Sequence, residues 1–482
     1  MSESLNKKVT SATKWSAITE IAAKLITPIS TMVLARLLTP EAFGILVTAT
    51  MVISFAEIFT DAGFQKYIVQ NAFKDEISLY NSTAVAFWSN LFFSIIVWIG
   101  ICIFSSKIAY LVGNEGYGFV IAVSCICIPL AAFSSIQMAL FKRKLDFKTL
   151  FLVRIIGILI PILVTIPLAF LTRSYWALII GMIALNLCNA IILTWKSEWK
   201  PQWYYKLDLF RNMFSFTIWS MLESVSIWLT GYIDVFIVGA TLNTYYMGIY
   251  RTSISTVGQI MSIVTAATTP VLFSALSRLQ EDEIQFKKMY FTFQKIVGIL
   301  VIPFGVSIFL FRDVITSVLL GSNWSEASYM IGWWGLTSSI TIVLSHYSSE
   351  VFRAKGKPKY SFGAQVLHLF FLIPTVIISI KYDFQTLCLS RSLIRFTMII
   401  ICVGFLYKLV KITPFEMISN IWHSCLAALG MCVIYSFLPE VTNTILRLME
   451  IIPCAVVYLV IISLWKDERS LIIKLQRQFV LK

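Results

Sequence analysis

The chain has 482 residues, of which 58% are hydrophobic and 13% charged, with a formal charge of +14. Soluble domains carry about 25% charged residues, so the composition excludes a water-soluble protein and indicates a polytopic membrane protein. The basic excess lies in short segments between apolar runs, which is a topology signal rather than a nucleic-acid surface.

Lys7, Lys8 and Lys14 precede the first long apolar run, and no small-residue cleavage site follows. That run is read as a retained helix, not a removed leader. Windows without any charge follow at Ile77–Ser106, Gly116–Phe141, Ser174–Trp195, Thr252–Ser277 and Met417–Pro439, each long enough to cross a bilayer. With spans that tolerate one or two charges, the pattern predicts fourteen helices. Their centres lie near residues 27, 55, 93, 128, 161, 185, 227, 261, 302, 339, 371, 396, 427 and 456. With the N-terminus inside, alternate segments hold 28 Lys and Arg on the inner face against 6 on the outer. Both termini are therefore expected in the cytoplasm.

No segment is long enough for a catalytic loop domain, and no GxxxxGK[ST] run occurs. A transporter, not an enzyme, is expected, with no cofactor and no nucleic-acid partner. The nine cysteines lie inside apolar runs without a CxxC pair, and the three histidines are scattered, so no metal site is expected. Pro28, Pro161, Pro270, Pro303 and Pro374 fall in or near spans as candidate bending points.

An internal repeat is visible. "VLARLLTPEAFGI" (Val33–Ile45) aligns with "IVGATLNTYYMGI" (Ile237–Ile249) at an offset of 204, pairing Leu38 with Leu242, Gly44 with Gly248 and Ile45 with Ile249. Six intervening helices preserve the orientation, as in transporters built from parallel halves. The expected organisation is an N-terminal lobe over 1–200, a C-terminal lobe over 201–410, and two further helices over 411–482.

These motifs carry a family likeness. "ARLLTPEAFGI", "FTDAGFQKYIVQ", "YIDVFIVGATLNTYYMGIYRTS" and "TPVLFSALSRLQED", in this order, resemble polysaccharide exporters of the multidrug/oligosaccharidyl-lipid/polysaccharide superfamily, in particular Wzx-type flippases and their colanic-acid and teichuronic-acid relatives. The likeness spans at least residues 10–290. It implies an all-α membrane protein with two six-helix lobes in a V around a central cavity, plus two C-terminal helices. It also implies transfer of undecaprenyl-diphosphate-linked oligosaccharide across the bacterial cytoplasmic membrane, alongside a polysaccharide polymerase and a chain-length regulator. Alternatives are an ion-coupled drug exporter or a peptidoglycan-precursor flippase of the same superfamily. A membrane glycan polymerase or ligase would need a larger outer loop.

Charge inside a span costs about 2.5–3.5 kcal/mol at the helix centre and marks a wet cavity or a partner. Lys24, Arg251, Arg391 and Arg395 are the candidate cations for a diphosphate. Glu57, Asp61, Glu223 and Asp234 are candidates for gating or for coupling to H+ or Na+. Ser16, Glu20, Lys24, Thr27 and Thr31 form a polar stripe on the first span. Arg251, Ser255, Gln259 and Ser262 form one on the eighth, and Ser338, Thr341, Ser345 and Ser349 one on the tenth.

Overall fold

The computed structural model describes residues 23, 24, 26–61, 63–71, 73–144, 146–439, 441, 443–471 and 473. Within these, the side chains of residues 61, 70, 212, 215–220, 222, 223 and 267 lie outside the description. Most of the described residues are helical, with no strand among them. This is what a hydrocarbon solvent demands of a chain that must satisfy its own backbone polar groups. They fall into two compact units, one ending at Arg251 and the other beginning at Thr252.

The first unit contains α1 (Ile26–Leu37), α2 (Pro40–Asp61), α3 (Phe64–Gln70), α4 (Glu76–Leu111), α5 (Gly118–Ser124), α6 (Cys127–Arg143), α7 (Phe147–Ile160), α8 (Ile166–Thr172), α9 (Trp176–Lys196) and α10 (Leu207–Thr241). It ends in the first turns of α11 (Thr244–Arg278). The second unit continues α11 and adds α12 (Glu283–Leu310), α13 (Arg312–Leu319), α14 (Ala327–Thr341), α15 (Ser348–Ala354), α16 (Lys359–Ser379), α17 (Phe384–Leu393) and α18 (Arg395–Val410). It closes with α19 (Pro414–Phe437), α20 (Thr444–Met449) and α21 (Ile451–Ile462).

All fourteen expected centres lie in helix, and among the described residues twelve helical runs are long and apolar enough to cross a membrane. The other two centres fall in shorter pieces. Around residue 27 only Ile26–Leu37 is described as an uninterrupted run. Around residue 339 the span is α14, a π-helical turn at Ile342–His346, and α15. A second π turn, Pro161–Thr165, joins α7 to α8. It sits where Pro161 cannot donate its i→i−4 bond. Pro270, Pro303 and Pro374 lie inside helices that continue through them.

Helix starts follow local chemistry. Asp75 caps α4 by accepting from the Ser78 backbone N–H (2.7 Å), while Ser78 Oγ accepts from the Asp75 N–H (3.3 Å). Hydrogen bonds to it from the Ser78 backbone N–H and side chain hold the Asp75 carboxyl below its ordinary range. Thr413 and Glu416 form the equivalent box on α19, and Asp383 caps α17.

The repeat is visible as a reciprocal crossing within the first unit. A Cβ on Gly44 would lie 2.0 Å from the carbonyl oxygen of Thr244, and one on Gly248 would lie 1.9 Å from that of Pro40. Pro40 and Thr244, like Gly44 and Gly248, are 204 residues apart, so each glycine touches the residue opening the other's helix. Only a residue lacking Cβ permits such backbone approach. Buried Asn114 binds the crossing, donating to Thr48 Oγ1 (2.5 Å) and accepting from Thr244 Oγ1 (2.6 Å).

Candidate functional site

In the first unit, α2, α4, α6, α9 and α10 surround a polar cavity of about 390 Å³. The three-to-four spacing of α2 turns Ser54 and Glu57 to it. Asn90 comes from α4, Ser134 and Ser135 from α6, Asn186 and Asn189 from α9, and Ser224 from α10; Lys66 adds a cation. Asn90 is buried and donates to Ser135 Oγ at 2.7 Å. Asn186 donates to the Met182 carbonyl at 3.0 Å. The wall is therefore rich in amides and hydroxyls, which both donate and accept.

Asp234 of α10 is placed differently. It is buried, accepts from Tyr250 Oη at 2.9 Å, and accepts from the Val235 N–H at 2.8 Å. This ties α10 to the start of α11. Arg251 follows Tyr250 on α11; its guanidinium lies 4.8 Å from the Tyr232 ring centre and donates to the Gly231 carbonyl at 3.3 Å. Lys24 is helical and half-buried. Asp61 lies at the end of α2 and Glu223 on α10, but their side chains lie outside the described residues, as do Ser16 and Glu20.

The second unit gathers cations. Arg391 of α17 and Arg395 of α18 both stack on Trp334 of α14, at 4.8 and 4.1 Å from its ring centre. Arg395 also donates to Ser338 Oγ, one turn along α14, at 2.5 Å. Arg391 and Trp334 are 8% and 7% exposed, so the pair is held in a largely dehydrated setting. Sharing one indole holds the two guanidiniums against the same ring. Their combined field favours an anion, and the planar forks suit phosphate oxygens. Thr397 Oγ1 of α18 lies 2.9 Å from Nδ1 of His368 on α16. The sequence marks Ser338 as part of a polar stripe, and here it meets Arg395. The sequence does not mark Trp334. Nor does it mark Asn90, Asn186 and Asn189, although the last two share a helix face at i, i+3.

A family model described as "Polysaccharide biosynthesis protein" matches residues 33–329. A membrane protein of the cps region of Klebsiella pneumoniae is 23% identical over 324 residues, covering 67% of this chain and 66% of that one. The succinoglycan biosynthesis transport protein ExoT of Rhizobium meliloti is 22% identical, covering 69% and 67%. The lipopolysaccharide biosynthesis protein WzxC of Escherichia coli is 21% identical, covering 78% and 76%. The matched part is thus about two thirds of the first relatives' own length. In fold, the chain is similar to lipid II flippase MurJ in an inward closed conformation (TM-score 0.74, 15% identity, 95% of this chain and 99% of that one). It is also similar to an inward-facing multidrug resistance MATE transporter of the MOP superfamily (TM-score 0.59, 12% identity, 84% and 98%). With the family model covering more than half of its length, this multi-pass membrane chain belongs to the polysaccharide biosynthesis protein family.

Proposed function

We propose that this chain is a flippase that carries oligosaccharide repeat units, linked to undecaprenyl diphosphate, across the bacterial cytoplasmic membrane by alternating access. Both termini then lie in the cytoplasm. The observation that carries the reading is the Arg391–Trp334–Arg395 stack. A diphosphate brings negative charge into a low-dielectric setting and needs fixed cations there. A second feature supports the carrier's tail. An apolar cleft of about 770 Å³ in the same unit is lined by Leu300, Phe304 and Ile308 of α12, Leu448 of α20, and Ile451 and Leu459 of α21. A polyprenyl chain would meet hydrocarbon throughout it. A site built to bind cationic drugs would instead place acids where Arg391 and Arg395 stand.

The test uses a deletion strain complemented at matched membrane levels with wild type, Arg391→Ala or Arg395→Ala. Surface polysaccharide and inner-leaflet lipid-linked repeat units are the readouts. Wild type should restore polymer, and the variants should accumulate precursor inside. Unchanged polymer and precursor on deletion would overturn the assignment.

A further inference from the structure

A row of four rings runs beside the polar cavity of the first unit. Phe55 and Phe59, one turn apart on α2, meet edge to face at 5.1 Å. Phe55 lies 4.7 Å from Trp228 of α10. Trp228 stacks on Tyr232, one turn further, at 5.6 Å and 23°. The Arg251 guanidinium covers Tyr232. Trp228 Nε1 donates to Ser54 Oγ at 3.1 Å, and Ser54 lines the cavity with Glu57 and Ser224. Positions 224, 228 and 232 therefore form one stripe of α10 carrying a hydroxyl, an indole and a phenol. Phe55 and Phe59 are 40% and 42% exposed.

A ring row serving only lipid contact needs no polar ends. This one ends on a guanidinium at Tyr232 and is hydrogen-bonded to the cavity wall at Trp228. The ligand chemistry that uses both features is a sugar. A pyranose has an apolar C–H face that packs on the electron-rich face of an aromatic ring. Its hydroxyl rim needs groups that both donate and accept, as the amides of Asn90, Asn186 and Asn189 do. The cavity volume is within the ~300–1,000 Å³ of small-ligand sites.

We propose that Phe55, Phe59, Trp228 and Tyr232 form a carbohydrate-stacking row, and that the Glu57 cavity reads the hydroxyls of a sugar in the transported repeat unit. This rests on the flippase reading and deepens it. The glycan is recognised in the first unit, separately from the diphosphate at Arg391 and Arg395.

The experiment places the full chain in nanodiscs and measures binding of two probes. One is undecaprenyl diphosphate; the other is the lipid-linked oligosaccharide fraction extracted from cells deleted for this protein. The variants are Trp228→Leu, Phe59→Leu and Trp228→Phe. Wild type should bind the oligosaccharide-bearing lipid about tenfold or more tightly than the bare carrier, the scale of one or two ring contacts. The leucine variants should lose most of that difference while holding the bare carrier as wild type does, and Trp228→Phe should keep it. Leucine variants that weaken both probes alike, or that keep the difference, would overturn the row. Equal binding of both probes by wild type would sink the row and leave the flippase reading standing. Binding of neither would sink both.

Discussion

In the first unit, membrane-length helices bring a carboxylate and three amides around one cavity, with a row of rings beside it. In the second, α14, α17 and α18 bring two guanidiniums onto one indole. The glycine crossing is reciprocal, and the chemistry at the repeat offset is not. At the offset that makes Gly44 and Gly248 reciprocal, Glu57 corresponds to Met261 and Asp61 to Thr265. Backbone approach at the crossing leaves no freedom in residue choice, because a Cβ has nowhere to go. A side chain lining a cavity is constrained only by what the cavity holds. A crossing of this kind can therefore persist while the side chains around it diverge, as the proposed sugar and diphosphate sites require.

The largest effect should come from attacking the shared frame. Gly248→Val sets a β-branched side chain against the Pro40 carbonyl, and Gly44→Val does the same against Thr244. Each should cost about 3 kcal/mol or more, the upper range of overpacking. The thermal midpoint of the purified protein in detergent would show it. Equal losses for the two would confirm that the crossing is symmetric. A loss in one alone would mean that the helix starts carry unequal load.

Next in size is the cation pair. Arg391→Ala with Arg395→Ala should lower export about a hundredfold or more, since each charged hydrogen bond to a buried anion is worth about 1.5–3 kcal/mol. Arg395→Lys should lose about tenfold, because an ammonium cannot both lie flat on Trp334 and bond Ser338. Glu57→Gln should cost far less in the same assay and should change which repeat unit is carried. If it instead abolished a pH or sodium dependence of transport and left selectivity intact, Glu57 would be a coupling group and the two units would divide the work differently.

How much of this could be read from the chain depends on what a membrane penalises. Span centres are legible because hydropathy alone decides what enters lipid, and all fourteen fall in helix. The break at Ile342–His346 is not legible, since "IVLSH" contains neither proline nor glycine. Arg391 and Arg395 stand out because charge in an apolar run is costly. Trp334 does not, because nothing distinguishes it among 14 tryptophans until α14 is packed on α17 and α18. Asn90, Asn186 and Asn189 are neutral and sit in spans without a comparable signal. Asp234 is as conspicuous as Glu57 in the sequence, yet it binds Tyr250 while Glu57 lines the cavity.

Asp234→Asn keeps an oxygen for Tyr250 but loses the charge that strengthens the bond. About 1 kcal/mol of stability should go, with sugar selectivity unchanged. Glu468 offers the equivalent in the second unit. It is buried, with Lys295 Nζ at 3.2 Å and His423 Nδ1 at 2.7 Å. Burial pushes its carboxyl up, but the hydrogen bonds to it, including those from His423 and Lys295, outweigh this and hold it below the ordinary range. Its charge therefore stabilises the fold above the unfolded carboxylate value, and the contribution is lost as pH falls through the depressed one. Thermal midpoints of wild type and Glu468→Gln should differ at pH 7 and converge in that acid range.

The smallest effect is expected at the surface counterpart in the first unit, the ion pair of Lys144 and Glu198. The hydrogen bond to Glu198 raises the Lys144 ammonium above its ordinary value. The sign is opposite to that of Glu468: the contribution is complete below the unfolded lysine value and fades only as pH rises through the raised one. Both side chains are substantially exposed, at 43% and 74%, so water and salt screen the pair. Glu198→Gln should shift stability by less than about 0.5 kcal/mol at pH 7 and by nothing measurable in 1 M salt, where the screening length is about 3 Å. A shift as large as that of Glu468→Gln, persisting in salt, would mean that the segment between α9 and α10 is held by charge. The competing account is its aromatic contacts. Trp203 stacks on Trp88 at 4.1 Å, and Trp199 is buried against Phe87. Those contacts are indifferent to salt of this kind, so Trp203→Ala should loosen the segment where Glu198→Gln does not.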